Sequence, residues 1–290
     1  MKLLVTGAAG FLGTKVMKLL KDDFELIGTD MTAAKGNLNM DITKKEEVDF
    51  VFEKTKPDVV LHIAAMTDVD GCEFNRNIAK KINVDGTYNL IEACRKIKAK
   101  MVYLSTDFVF NGGKGDYKED DMPDPLSYYA VTKLDAEKLV QRSGLKYIIV
   151  RPEVLYGYNG DGSERSFTTW VHDSLKQAKE IRVVNDQFST PTLIDDIANA
   201  IKILIQKGKE GIYHVAGPEK LSRYDMAVKL AEVFGFDKSL IKSITSAELK
   251  QKAKRPVDSS LNIEKLKKEG VIMHAFGEGL KIMKKQMETK

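Results

Sequence analysis

The chain has 290 residues, 43% hydrophobic and 30% charged, enough to bury one large core or a core domain with a smaller lobe. Its 46 basic and 42 acidic residues leave a net charge of +4, too mild and dispersed for a nucleic-acid partner, so a solvated charged surface is expected. Cys72 and Cys94 form no CxxC and do not cluster with the four histidines, which predicts plain thiols of a reducing compartment.

The opening MKLLVTGAAG has too short an apolar run for a signal core, and glycines interrupt it. No run approaches the length of a membrane span, so a cytoplasmic protein with no membrane partner is expected. Strands are predicted over 2–7, 24–30, 58–65, 100–106 and 146–152, with helices over 11–22, 44–55, 74–98 and 127–143 between them. Alternation of nearly continuous apolar strands with helices predicts an α/β fold: a doubly wound, Rossmann-like parallel sheet. After Pro152 the rhythm changes. The Gly/Asp/Ser-rich stretch YGYNGDGSERS (156–166) leads to a helix at 167–179, a strand at 181–184, a helix at 193–207 and a strand at 211–217. The tail reads as helical and lysine-rich. The expected division is a dinucleotide-binding core over 1–151, with 180–216 returning to it, and a smaller C-terminal substrate-binding lobe over 152–179 and 217–290. No internal repeat is visible.

VTGAAGFLG (5–13) stands where the first strand should turn into a helix, with Gly7, Gly10 and Gly13 at GxxGxxG spacing. The first suits a tight turn, the second close approach of a pyrophosphate, and the third close helix–strand packing, with the helix N-terminus facing the phosphates. Phe11 and Leu12 fall in that helix's first turn. Asp30 closes the second strand, where an acid accepts from an adenosine ribose diol; a plain strand-end Asp is the alternative. Asp41 and Ile42 are candidates to flank the adenine. STDFVF (105–110) follows the fourth strand, at the sheet edge where doubly wound folds bind ligands; a Ser/Thr turn is the alternative. In YYAVTK (128–133), Tyr129 and Lys133 stand four apart, so a helix puts the ammonium on the face of the phenol and can lower the phenol's pKa. Chance alone supplies that spacing in a lysine-rich chain with 10 tyrosines, so its setting must decide. His62 reads as a satisfied core histidine. His172 and His214 lack partners at ligand spacing, so no metal is expected.

In order, TGAAGFLG, HIAAMTDVD, NVDGTYNLIEA, LSTDFVF, YYAVTK and RPEVLYG resemble the extended short-chain dehydrogenase/reductase superfamily acting on nucleotide sugars. STDFVF, NDQFSTPT (185–192) and RPVDSSL (255–261) resemble its dTDP-4-dehydrorhamnose reductase branch, and the likeness spans nearly the whole chain. The resemblance implies reduction of the 4-keto group of a nucleotide-linked 6-deoxy sugar, with NADH or NADPH as cofactor. It implies Tyr129 as general acid, Lys133 as the residue that lowers its pKa and binds the nicotinamide ribose, and Thr106, rather than Ser105, as the hydroxyl on the reacting carbonyl. Asn83 would help hold Lys133 through backbone or water, and Ala64 and Ala65 would line the cofactor. Asp107, Val154 and Arg255 are the substrate candidates: Asp107 assists proton delivery or closes its turn, and Arg255 meets a phosphate or makes a structural salt bridge. Val154 stands where the family carries a tryptophan, and Asp258 where it usually carries an asparagine. Asp30 favours the NAD-type diol, and Lys35 lies close enough in sequence to accommodate a 2′-phosphate. Relatives often dimerise through the helices at about 74–98 and 127–143, which makes a homodimer one reading, though no decisive apolar stripe marks either helix and the oligomeric state stays open. Two further readings are a nucleotide-sugar 4-epimerase, using the same Tyr and Lys, and a non-catalytic regulatory subunit resembling the methionine adenosyltransferase beta subunit.

Overall fold

A computed structural model describes residues 1–32, 36–160, 166–249 and 251–289. Lys35 and most of the loop before residue 166 therefore lie outside the described residues. The first half alternates strand and helix. It runs β1 (Lys2–Thr6), α1 (Phe11–Leu19), β2 (Glu25–Asp30), β3 (Leu38–Asn39), α2 (Lys45–Thr55) and β4 (Val59–His62). Then come α3 (Val69–Phe74), α4 (Arg76–Lys80), α5 (Gly86–Ile97), β5 (Lys100–Leu104), α6 (Tyr128–Gln141) and β6 (Tyr147–Arg151).

These strands and Gly211–His214 form one seven-stranded parallel sheet, with Gly211–His214 at one edge, then β6, β5, β4, β1, β2 and β3. The chain leaves β1 in one direction through β2 and β3, then returns to its other side at β4. That reversal opens a crevice at the carboxyl ends of β1 and β4, the place where doubly wound sheets take ligands. The alternation of side chains explains the double cover. After β6 come α7 (Phe167–Lys176) and α8 (Ile194–Gln206), and Leu3 and Val5 point into a core shared with α1 and α8. Leu4 points the opposite way, into a core with α2, α5 and α6. The fold is thus the doubly wound, Rossmann-like one expected.

Boundaries hold to within a few residues, with three differences. The helix expected over 74–98 is α4 and α5 joined by a π-helical turn, Lys81–Asp85, which carries Asn83. The short elements α3 and β3 have no counterpart among the expected strands and helices. The tail is not wholly helical either: Ile241–Ile244 forms a parallel pair with Ile181–Val184. That pair packs with α7, α9 (Arg223–Phe234) and the helix Phe276–Glu288 around Tyr156, Val171, Met226, Leu230 and Leu280, a third apolar cluster. Within 180–216, then, Ile181–Val184 belongs to this cluster, whereas α8 and Gly211–His214 cover and extend the large sheet.

Candidate active site

The turn after β1 is shaped for glycine at the two positions that matter. Gly7 has φ +69°, and a Cβ there would lie 2.9 Å from the Ala64 nitrogen. A Cβ on Gly13 would come within 2.1 Å of the Gly7 oxygen and 2.8 Å of Ala8 Cα, so α1 rests directly on the turn. Gly10 is the N-cap of α1, and no side chain caps the helix there. The Phe11, Leu12 and Gly13 amides in the first helical turn therefore lack intrahelical acceptors, and an anion fits this end. The Leu12 side chain is core, and Phe11 packs against the same cluster. Asp30 joins this loop: it accepts from the Ala9 amide (3.0 Å) and the Met31 amide (2.8 Å). The glycine cradle and its adjacent acid thus fit the pyrophosphate and ribose of a dinucleotide.

The flanking candidates divide. Asp41 accepts from the Thr43 amide (2.9 Å) and hydroxyl (2.8 Å), closing a turn. Ile42 is buried in the core, and a Cβ on Gly86 would meet its Cδ1 at 2.8 Å. Ala64 and Ala65 follow β4 beside Gly7; the Ala64 amide donates to Thr6 Oγ1 (3.2 Å). His62 is held between Thr6 Oγ1 (2.8 Å) and Thr87 Oγ1 (3.0 Å), and burial, with Lys133 nearby, pushes it down to about 3. It is a neutral core histidine, as expected.

On α6, capped by Ser127, Tyr129 and Lys133 are both buried, at 8% and 3% exposure. Lys133 Nζ donates to the Leu104 carbonyl at the end of β5 (2.6 Å) and lies 4.3 Å from the centre of the Tyr103 ring. Burial lowers Lys133 to about 7, against the opposing charge of Glu137. Tyr129 moves the other way. Burial pushes its hydroxyl above the usual phenol range, a Thr106 hydrogen bond opposes this, and the Asp107 charge adds to it. The expected lowering of Tyr129 by Lys133 is not found, because the ammonium is turned to Leu104 and Tyr103. The phenol is held in its proton-bearing form.

Thr106 donates to Asp107 Oδ1 (3.0 Å) and accepts from the Phe108 amide (3.2 Å), so the hydroxyl beside Tyr129 has a fixed orientation. Ser105 Oγ is buried with no hydrogen-bond partner. Asn83 exchanges hydrogen bonds with Met66, 2.8 Å to its amide and 3.1 Å to its carbonyl, and donates to Thr132 Oγ1 (3.0 Å). It therefore meets α6 through the residue preceding Lys133. Asp107 is buried at 4% exposure and lifted to about 6, first by burial, with the Ser259 and Thr106 hydrogen bonds and the Arg223 charge opposing.

The remaining substrate candidates are held by contacts of their own. Arg255 grips Asp70 with both nitrogens (2.7 and 3.0 Å), the structural salt bridge of the two readings. Val154 packs against the third cluster with φ +39°, an uncommon and strained backbone for a β-branched residue. Trp170 lies on α7 against Phe167, 45% exposed. Asp258 accepts from Lys220 (3.1 Å) and from Ser260. Among the described residues no group of three or more His, Cys, Asp or Glu is placed to hold a metal.

The family model described as RmlD substrate binding domain matches residues 1–289. The chain belongs to this family. It is 34% identical to the dTDP-4-dehydrorhamnose reductase of Aggregatibacter actinomycetemcomitans over 95% of this chain and 93% of that one. It is 30% identical to methionine adenosyltransferase 2 subunit beta of Pongo abelii, over 93% of this chain and 83% of that protein. Among solved structures, a dTDP-4-dehydrorhamnose reductase from Clostridium acetobutylicum matches with TM-score 0.91 and 35% identity, over 99% of this chain and 100% of that one. The Bacillus anthracis dTDP-4-dehydrorhamnose reductase in complex with NADP matches with TM-score 0.91 and 30% identity, over 98% and 99% of the two chains.

In this RmlD-family chain, reasoning from sequence missed Glu137, Glu153 and Arg223, which set the charge around the site. Glu137 and Arg223 stand outside the quoted motifs and Glu153 inside RPEVLYG, but only tertiary packing brings the three to the site. The buried Lys133 also carries a stability cost with a definite pH sign. Its folded value of about 7 lies below the unfolded value near ~10.4, so the unfolded state binds more protons between the two. Stability should rise with pH across that window, and the penalty should be fully present below it. Lys133→Met should accordingly raise the melting temperature most below about pH 7 and least near ~10. Calorimetry across pH checks this, and an equal gain at all pH values would contradict it.

Proposed function

We propose that the chain is a nicotinamide-dependent reductase of the 4-keto group of a nucleotide-linked 6-deoxy sugar, dTDP-4-dehydrorhamnose or a close relative. The observation that carries this is the buried face joining Thr106 to Tyr129, with Lys133 one helical turn on. The coenzyme bound at the glycine cradle supplies the hydride. Tyr129 gives its phenolic proton to the ketone oxygen as charge develops there, and Thr106, its own proton held by Asp107, fixes the position of the phenol. Lys133 adds charge to the same helical face while it remains protonated. The intact hydroxyl, phenol and lysine favour catalysis over the regulatory-subunit reading that the likeness to methionine adenosyltransferase 2 subunit beta supports.

A panel of nucleotide 4-keto sugars with NADH and NADPH, followed by coenzyme absorbance, tests the proposal. Tightly bound NAD with no net turnover would turn it to a 4-epimerase. Copurification with a larger enzyme and no turnover would turn it to the regulatory subunit. We place the enzyme in the cytoplasm; among the described residues no helix is long and apolar enough to cross a membrane. A homodimer through α4–α6 fits the exposed Ile78 and Tyr88 there.

Two further outcomes follow for this site. NADH should be accepted and NADPH usable, and Asp30→Ala should raise the NADH Michaelis constant about tenfold, roughly 1.4 kcal/mol. Because Asp30 also holds the Ala9 amide, the NADPH constant is the control: an equal rise for both would reduce Asp30 to a loop residue. The second concerns elimination. Sugar dehydratases of the resembling superfamily pair Asp with Glu after the catalytic Thr, because losing water needs an acid and a base at adjacent carbons. Here Asp107 is followed by Phe108, whose ring stands edge-on to Tyr129 at 6.2 Å. No 4,6-dehydration of dTDP-glucose should occur, and release of the 4-keto-6-deoxy product would refute that.

A further inference from the structure

Behind Thr106 lies a polar cluster that the steps above leave unused. Glu153 is fully buried. Its Oε2 accepts from the Thr190 amide (2.7 Å) and the Thr190 hydroxyl, and its Oε1 lies 2.9 Å from Ser259 Oγ. All three partners are neutral. Asp107 faces it, coupled to it by charge. Arg223 is the cation that acts on both carboxyls, while Arg255 beyond it is neutralised by Asp70. Tyr129, beside Asp107, and Cys72, beside Tyr129, are kept neutral by burial, which pushes the thiol up to about 11.

Charge balance decides the state of this cluster. Two ionised carboxylates against one guanidinium would leave a net negative charge where both acids are buried, and a single proton cancels it. Burial and the Asp107 charge push Glu153 well above the carboxylate range, whereas Asp107 sits at about 6, so the proton belongs to Glu153. Hydrogen-bond accounting agrees independently. Asp107 Oδ1 takes the Thr106 hydroxyl, but buried Oδ2 has no partner while Ser259 donates to Glu153. A serine has one proton to give, and it lies in reach of both acids. With Glu153 donating to Ser259, the serine proton is free to point toward the Asp107 carboxyl, where it opposes the effect of burial.

The geometry points to Glu153 as a neutral carboxylic acid that turns Ser259 toward Asp107 and, through Asp107, fixes Thr106 beside Tyr129. It is a positioning residue, and its effect on rate rests on the ketoreductase reading above.

Infrared difference spectroscopy reads the protonation directly. The holoenzyme should show an unionised carboxylic acid band at about pH 8 that disappears in Glu153→Gln. Glu153→Ala should lower kcat about tenfold with little change in KM, and Glu153→Gln, whose amide can donate to Ser259 and accept from Thr190, should restore most of it. Ser259→Ala removes a hydrogen bond that favours ionised Asp107, so the acid limb of kcat should move upward from about 6. Absence of the band, a Gln variant as impaired as the Ala variant, or an unmoved acid limb in Ser259→Ala would each overturn the inference. If Glu153→Ala does not fold, the Gln variant and the band still decide. If the wild type reduces no nucleotide sugar, the ketoreductase reading fails, and the band alone settles the state of Glu153.

Discussion

Tyr129→Phe should lower the rate of ketone reduction by about 10²- to 10⁴-fold, the usual worth of a positioned general acid. The substitution removes one hydroxyl and keeps the ring, which packs at 8% exposure with Cys72 and Ala79 and stands edge-on to Phe108. Folding and coenzyme affinity should therefore change little, since the glycine cradle and Asp30 are untouched. The structure sharpens what is being removed. The hydroxyl is held above the ordinary phenol range, so it bears its proton at neutral pH, and Thr106 fixes its direction. Pre-steady-state reduction of the best sugar in the panel measures the chemical step free of product release. A Phe variant running at near wild-type rate would make Tyr129 a structural residue and move the regulatory-subunit reading forward. Lys133→Ala differs in kind: it vacates the Leu104 carbonyl and the Tyr103 ring face as well as removing charge, so coenzyme binding should weaken along with the rate.

What was legible in the sequence had a local cause. β1 and β4–β6 appear as apolar runs because parallel strands are buried on both faces, and Leu3, Leu4 and Val5 in succession serve two different cores. Gly7 and Gly13 were legible because a side chain at either would meet the backbone of the same turn or of Ala64. Tyr129 and Lys133 share a face by helical period alone. The rest depends on chain segments far apart in sequence. β3 has only two residues, and Ile241–Ile244 lies hidden in a lysine-rich tail until Ile181–Val184 pairs with it. The π-helical turn that aims Asn83 at Met66 and Thr132 has no composition of its own. The spacing placed the ammonium near the phenol but could not see that Leu104 and Tyr103 claim it. Arg255 was open between two roles because its partner, Asp70, comes from a helix the sequence did not announce.

Glu137→Ala should cost the fold about 3–5 kcal/mol, a large part of the roughly 5–15 kcal/mol that holds a domain of this kind together. Glu137 on α6 and Arg151 at the end of β6 meet through two hydrogen bonds of 2.9 and 2.7 Å, with side chains 1% and 2% exposed. The guanidinium also reaches His214 Nε2 (3.3 Å) and stands 5.1 Å from the centre of the Phe110 ring. His214 cannot replace the lost anion. Burial and Arg151 itself push it down to about 3, and its Nδ1 is 3.0 Å from the Tyr117 carbonyl, so the ring is neutral and its Nε2 only accepts. Without Glu137, Arg151 would stay buried and unpaired, which is the costly way to break such a pair. Replacing both partners, Glu137→Leu with Arg151→Met, should recover most of the loss, because the penalty lies in the stranded charge rather than in a missing attraction. Denaturant midpoints for the two single variants and the double variant measure this, and a Glu137→Ala loss below about 1 kcal/mol would place the pair in the weak, surface-like class. The same carboxylate raises Lys133 one turn back, against burial. Glu137→Gln keeps the shape and removes the charge, so Lys133 should titrate further below about 7 and lose its charge on the Tyr129 face at lower pH, moving any activity limb set by Lys133 the same way.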